Sequence, residues 1–297
     1  INPLLNDLAA NQILGLRAII NGTTNYILTQ MASGGVSFED ALADAQRLGF
    51  AEADPTADVD AFDAVYKISI LARLAFGVDV PIEKIFREGI RRTASQDFRY
   101  AEELGYTIKL LAAARRENGG LLVRVHPALV PSDVPMAKVE GVLNVVEAEG
   151  DLVGPLWLQG RGAGAEPTAS AVMGDVLRTV SVLRGGGHVP QARPINLDLP
   201  ILEMSSLECK YYIRLTVRDR PGVLAQIAGA LGDMDISIAS VLQMDSDPDR
   251  GNADLVIMTH PAREANMQRA VERIDALGDV GTVANVIRVE FYPSARQ

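Results

Sequence analysis

"KYYIRLTVRDRPGVLAQIAGALGDMD", residues 210–235, decides the fold of the C-terminal third. Tyr211, Ile213, Leu215 and Val217 alternate with other residues as in a half-buried strand, and beyond Pro221-Gly222 the apolar residues Val223, Ile227, Ala230 and Leu231 recur at helical spacing. A period of two that changes to 3.6 across Pro-Gly marks a strand turning into a helix. Further on, "ISIASVLQMD" (236–245) and "ADLVIMTH" (253–260) read as strands, "REANMQRAVERIDAL" (263–277) as a helix and "TVANVIRVEF" (282–291) as a strand.

That order, βαββαβ, gives a four-stranded antiparallel sheet with two helices on one face, the split βαβ of ferredoxin-like domains, over residues 208–292. Residues 1–200 mix short strands with longer helices. "INPLLNDLAANQILG" (1–15) reads as an amphipathic helix leading into the strand "LRAIING" (16–22). "TTNYILTQMASG" (23–34) and "SFEDALADAQRLG" (37–49) are helices closed by glycine, and "AFDAVYKISILARLAFG" (61–77) is a longer one. "IKLLAAARREN" (108–118) and "LLVRVHPALV" (121–130) read as strands about a Gly119-Gly120 turn, and 141–164 as a meander with a glycine-rich exit. The helix "TASAVMGDVLRTVSVLRG" (168–185) closes this region, and the Gly- and Pro-rich stretch 185–200 is a linker. The fold class is α/β in the α+β sense: a mixed-sheet domain followed by a ferredoxin-like one.

The chain has 297 residues, 48% hydrophobic and 22% charged, enough for two domains with ample core. Its 38 acidic against 28 basic residues leave a net charge of −10, which argues against nucleic acid as a partner. Cys209 is the only cysteine, so no intrachain disulfide forms and a reducing, cytoplasmic compartment is expected. No run of about 20 apolar residues points to a membrane span. His126, His188 and His260 lack metal-ligand spacing, so no metal is assigned, and Trp157 and the methionines read as core fillers.

"FAEADPTADVDAFDAVYK" (50–67) crowds Glu52, Asp54, Asp58, Asp60, Asp63, Tyr66 and Lys67 ahead of a very apolar segment. Asp63 and Lys67 are one turn apart on a helix that starts near Asp60, with Asp60 on the same side and apolar residues in nearly every other direction. Two readings stand side by side. One is a structural i,i+4 ion pair; the other is a lysine ringed by carboxylates, able to hold the ammonium of a small amino acid and to move a proton at an oxygen. Asp58 is placed to cap the helix N-terminus. In "NGTTNY" (21–26), Gly22 permits close backbone approach while Thr23 and Thr24 either cap the next helix or face a ligand. "GRGAGAEPTAS" (160–170) has three glycines in five positions, in a spacing that matches neither common nucleotide-binding pattern.

Together, "NGTTNYIL", "GFAEADPTADVDAFDAVYKISILAR" and "GRGAGAEPTASAV", in this order, resemble the substrate-domain motifs of homoserine dehydrogenases, and "RDRPGVLAQIAGAL" resembles the first strand-to-helix turn of an ACT domain. The resemblance implies a catalytic and dimerisation domain over 1–200 and an ACT regulatory domain over 208–292. It implies NAD(P)-dependent interconversion of L-homoserine and L-aspartate 4-semialdehyde, in threonine and methionine biosynthesis. It places the catalytic lysine on Lys67, substrate contacts on Gly22, Thr23, Glu52, Asp58 and Asp63, and a cofactor contact on Gly162. The ACT-like segment reads either as a plain oligomerisation module or as a sensor whose pocket forms at Asp219, Gly222, Val223, Leu224 and Ile236 with the strand to Ser240; the resemblance implies L-threonine as its effector, and a homodimer or higher oligomer is expected.

Two departures stand out: Ala61 where relatives usually have Gly, and Phe50 where some carry an aromatic hydroxyl. The family's N-terminal nucleotide-binding half, which would hold most of the NADP or NAD, is not in these residues. Starting at Ile1, the chain reads as a truncated or cleaved enzyme, inactive alone. Rival readings are a non-catalytic amino-acid-binding regulator and a lyase using Lys67 as a Schiff-base amine, the latter disfavoured because nearby carboxylates keep a lysine charged.

Overall fold

The computed structural model describes residues 1–185, 194–195, 199–247 and 251–292, so most of the 185–200 linker lies outside the described residues. Up to Pro131 the elements are α1 (Asn2–Leu5), β1 (Ile13–Ile19), α2 (Gly22–Gly34), α3 (Phe38–Arg47), α4 (Thr56–Val59), α5 (Phe62–Phe76), β2 (Phe86–Arg87), α6 (Ser95–Glu103), β3 (Tyr106–Glu117) and β4 (Gly120–Pro131). Then follow β5 (Leu143–Gly150), β6 (Gly154–Arg161), α7 (Ala165–Leu183), β7 (Glu208–Cys209), β8 (Tyr211–Arg218) and α8 (Val223–Gly232). The last are β9 (Ile238–Asp247), β10 (Asn252–Thr259), β11 (Ala262–Arg263), α9 (Glu264–Asp275) and β12 (Val280–Val289).

The expected helix over 1–15 is a single short turn. Asn11 and Gln12 are tied instead to the β5–β6 turn, with Asn11 Oδ1 accepting from Val153 N–H and Gln12 N–H donating to Asp151. The backbone is thereby drawn into an extended path, and β1 starts three residues earlier than the apolar run alone indicates. The helices after β1, the β3–β4 hairpin, the meander and the βαββαβ order are as expected.

The strands join in one path, β6-β5-β1-β3-β4-β12-β8-β10-β9, with β2 also on β4. The junction is parallel: Arg288 and Val289 of β12 pair with Ala128 and Leu129 of β4. On one face, α2, α5 and α6 cover Leu16, Ala18, Leu110, Ala112, Val123 and Val125. In the C-terminal part, α8 and α9 cover Ile213, Leu215, Leu255 and Ile257, while Tyr212, Val256, Met258 and Ile287 on the reverse face merge with the larger core.

Buried charges knit this junction. Glu290, just beyond β12, accepts from Arg17 Nε at 2.9 Å and Arg124 Nη2 at 2.6 Å. Burial alone would raise the Glu290 carboxyl, but Arg124 and Arg17 outweigh it and hold it down at about 2. Beside it, burial and the Arg288 and Arg124 charges push His126 down to about 3, so it is neutral.

Helix α7 differs from the others: it buries no residue and exposes Val172, Met173, Val176, Leu177, Val180 and Leu183. Met173 is therefore no core filler. No helix among the described residues is long and apolar enough to cross a membrane.

Candidate active site

A cleft of about 430 Å³ opens where β1 runs into α2. Gly22 and Thr23 come from the start of α2, Asp58 from α4, Asp63 and Lys67 from α5, Val142 and Asn144 from the entry to β5, and Gly162 to Gly164 from the turn before α7. Residues of three sequence motifs that are far apart along the chain thus meet at one place.

The polar contacts start from the helix cap. Asn21 is the N-cap of α2, and its Oδ1 accepts from Thr24 N–H at 2.8 Å and Thr24 Oγ1 at 3.0 Å. Its Nδ2 donates to Asp58 Oδ1 at 2.6 Å and to Asp63 Oδ2 at 2.9 Å. Lys67 Nζ donates to the same Asp63 oxygen at 2.7 Å and to Ile20 O at 3.1 Å. Thr24 serves the cap rather than the cleft, whereas Thr23 Oγ1 donates to Phe50 O at 2.6 Å.

Several expectations change here. Asp58 does not cap α5; no side chain does. Asp60 precedes the helix, and its carboxylate turns away to Arg91 Nε at 2.6 Å. Helix α5 is not buried nearly all round: Tyr66 and Ile70 are more than half exposed and the Lys67 side chain is 48% exposed. The ammonium faces an open cleft, where ligands can reach it. Glu52 is exposed and outside the lining of the cleft, with only its carbonyl engaged by Gln46. Phe50 lines the cleft with its ring against Tyr26, 4.9 Å between centroids.

Ala61 takes a backbone conformation that suits glycine better. It sits just before α5 at φ 64°, in the left-handed region, fully buried. A Cβ is strained there, and Gly is the residue suited to that backbone.

Gly22 and Gly162 are held by crowding. A Cβ on Gly22 would meet Val142 O at 3.1 Å, and one on Gly162 would collide with the Asn144 amide, 2.8 Å from its Cγ. Asn144 Oδ1 is itself buried without a hydrogen-bond partner among the described residues. The sequence reading missed both Asn21 and Asn144. For Asn21 a signal existed, since Asn is among the strongest N-cap residues; for Asn144, in the middle of a β-meander, none did.

At the second expected site, Gly222 caps α8 in the left-handed region at φ 93°. Asp219 and Leu224 border solvent, but Val223 and Ile236 are buried in the α8–α9 core, so only part of the expected group faces a ligand there. Among the described residues, no group of three His, Cys, Asp or Glu side chains is placed to hold a metal ion.

The homoserine dehydrogenase family profile matches residues 1–177 and the ACT domain profile residues 211–279. The homoserine dehydrogenase of Pseudomonas aeruginosa is 43% identical, over 98% of this chain and 68% of the relative. A homoserine dehydrogenase crystal structure from Thiobacillus denitrificans superposes with a TM-score of 0.89 at 43% identity, over 97% of this chain and 67% of that one. A hyperthermophilic archaeal homoserine dehydrogenase solved in complex with NADPH gives 0.52 at 31% identity, over 65% of this chain and 54% of its own. With its motifs gathered in one cleft and matched over nearly all its length, the chain belongs to the homoserine dehydrogenase family of oxidoreductases and carries an ACT domain.

Proposed function

We propose that this chain supplies the substrate side of an NAD(P)-dependent homoserine dehydrogenase, interconverting L-homoserine and L-aspartate 4-semialdehyde. The observation that carries the reading is the state of Lys67. An ammonium has three protons, and two are committed to Ile20 O and Asp63. The third is left for a substrate oxygen in the cleft. Asp58 and Asp63, each with one oxygen engaged by Asn21, keep a second oxygen for the substrate ammonium. In the reducing direction, Lys67 hydrogen-bonds the aldehyde oxygen at C4 and supplies the proton as that oxygen becomes a hydroxyl. In the oxidising direction Lys67 acts as the neutral amine, having first given up one proton, and takes the hydroxyl proton. Gly22, without a Cβ, leaves the first N–H groups of α2 open to the substrate.

The cleft is too small for a whole dinucleotide but fits its reactive end, and the unpartnered Asn144 oxygen, on the Gly22 side of the cleft, offers an acceptor for an amide. Asn144, Gly162 and Gly164 would hold that end. When bound, the nicotinamide supplies the hydride exchange. NADPH in the archaeal relative makes the phosphorylated cofactor a natural first trial. Most of the cofactor would be held by a nucleotide-binding domain outside these residues, so this chain alone is expected to be inactive. The exposed apolar face of α7 gives such a domain, or the partner of a homo-oligomer, something to cover. Cys209, the single cysteine, fits a cytoplasmic enzyme.

Control by L-threonine belongs to the same proposal, resting on the ACT match and on the open N-terminus of α8 behind Gly222. The deciding experiment has two arms. L-homoserine is titrated into this chain by NMR, where shifts confined to Asn21–Thr23, Asp58–Asp63 and Asn144 support the reading and no shifts refute it. L-threonine is added in a thermal melt, where an unchanged midpoint refutes the effector role, since a ligand of the native state must raise it.

A further inference from the structure

We propose that Asn21 is a positioning residue that sets which oxygens of Asp58 and Asp63 face an incoming ammonium; this rests on the reading of the cleft as the homoserine site. The Asn21 amide has two ends of opposite character, an acceptor oxygen and a donor NH₂. Thr24 N–H, an unpaired donor of the first turn of α2, requires an acceptor, so Oδ1 must face the helix. The NH₂ end is then forced to face away, towards α4 and α5. Both of its protons are used, one on Asp58 Oδ1 at 2.6 Å and one on Asp63 Oδ2 at 2.9 Å. Asn21 is 5% exposed, so water does not compete for these bonds.

Two carboxylates brought together repel each other, and a single lysine compensates only one of them here, since Lys67 bonds Asp63 and not Asp58. A neutral amide donating to both holds them side by side without neutralising either. It also engages one defined oxygen of each, leaving Asp58 Oδ2 and Asp63 Oδ1 as a pair of acceptors for a cation. Lys67 shares the engaged Asp63 oxygen, so the clamp fixes the lysine as well. The helix cap of α2 thus orients a binding pair that lies about 40 positions further along the chain.

Asn21→Ser separates cap from clamp, because a serine oxygen still accepts from Thr24 N–H but cannot reach two carboxylates with two donors. Asn21→Ala removes both. The expected result is that homoserine binding, followed by NMR titration, weakens about tenfold or more in both variants, while the melting temperature falls by several degrees only in Asn21→Ala. If Asn21→Ser binds homoserine as tightly as the parent, Asn21 is only a cap and the proposal is overturned.

A second measurement does not depend on the ligand. In the parent chain both Asn21 Nδ2 protons should exchange slowly with solvent and shift downfield, as protons held on carboxylates do; free exchange of either overturns the clamp. A parent chain that binds no homoserine sinks the proposed function instead, and the exchange result then decides the clamp by itself.

Discussion

Arg214 on β8 donates through Nε to Asp97 Oδ1 at 2.6 Å, joining the C-terminal strands to the first turn of α6. Asp97 is wholly buried and also accepts from Tyr212 OH, Asn285 Nδ2 and the backbone N–H of Ala94. Removing one partner of a buried pair leaves a charge without compensation, so Arg214→Met should destabilise the chain by about 3–5 kcal/mol. Urea unfolding measures this. A loss below about 1 kcal/mol would mean that the remaining donors suffice for Asp97.

Lys67→Ala should behave in the opposite way. The Asp63–Lys67 pair is half open to water, and such pairs contribute about 0–1 kcal/mol to stability. Positioned proton transfer is worth roughly 10²–10⁴ in rate. In the intact enzyme, kcat should fall by that range with the melting temperature nearly unchanged; a variant that turns over normally would make the lysine structural.

Gly89 presses on the turn that carries the candidate site. Ile90 N–H bonds Val59 O at 2.9 Å, Arg87 bonds Asp60 O, and a Cβ on Gly89 would lie 2.8 Å from Asp60 Cα and closer still to Val59 O. Gly89→Ala must shift the segment between Asp58 and Ala61, at a cost of about 1–3 kcal/mol. Homoserine affinity should drop with it, and unchanged binding would show that the turn moves without its carboxylates.

At Ala61 a substitution should help. Ala61→Gly relieves the left-handed strain at the start of α5 but adds freedom to the unfolded chain, for a net gain of up to about 1 kcal/mol. Chemical unfolding checks the sign; a loss of stability would mean that the buried methyl group packs well enough to outweigh the strain.

Acid should weaken the sheet junction. The Glu290 carboxyl is held at about 2, below its ordinary 4.5, so the unfolded chain binds the proton first. Its contribution, about 3 kcal/mol, is complete above pH 4.5 and is lost as pH falls towards 2. Neutral His126, held at about 3, acts in the same sense as pH falls from 6.5 towards 3. Glu290→Gln should flatten the stability profile between pH 4.5 and 2, and an unaltered slope there would assign acid lability elsewhere.

How far the sequence could be read follows from the range of each interaction. The βαββαβ order was legible because Tyr211 to Val217 and Val223 to Leu231 carry their periods locally. Asp58, Asp63 and Lys67 were legible because they share one charged segment next to an apolar helix. Asn21 escaped because its donors act on residues far along the chain, and Asp60 was misplaced because Arg91 decides where it points. The short α1 reflects contacts of Asn11 and Gln12 with the β5–β6 turn, which no local pattern contains. Burial of Val223 and Ile236 likewise depends on how α8 and α9 settle on the sheet.

The parallel pairing of β12 with β4 bears on how the chain reaches its native state. Ala128 meets Arg288, about 160 positions later, and such distant pairings pay their loop-closure entropy before any contact repays it. During synthesis the β3–β4 hairpin emerges well before β12, leaving part of one edge of β4 unpaired in the interval. Refolding of this chain should therefore be slow and sensitive to concentration, with closure of the sheet at β12 among its last events.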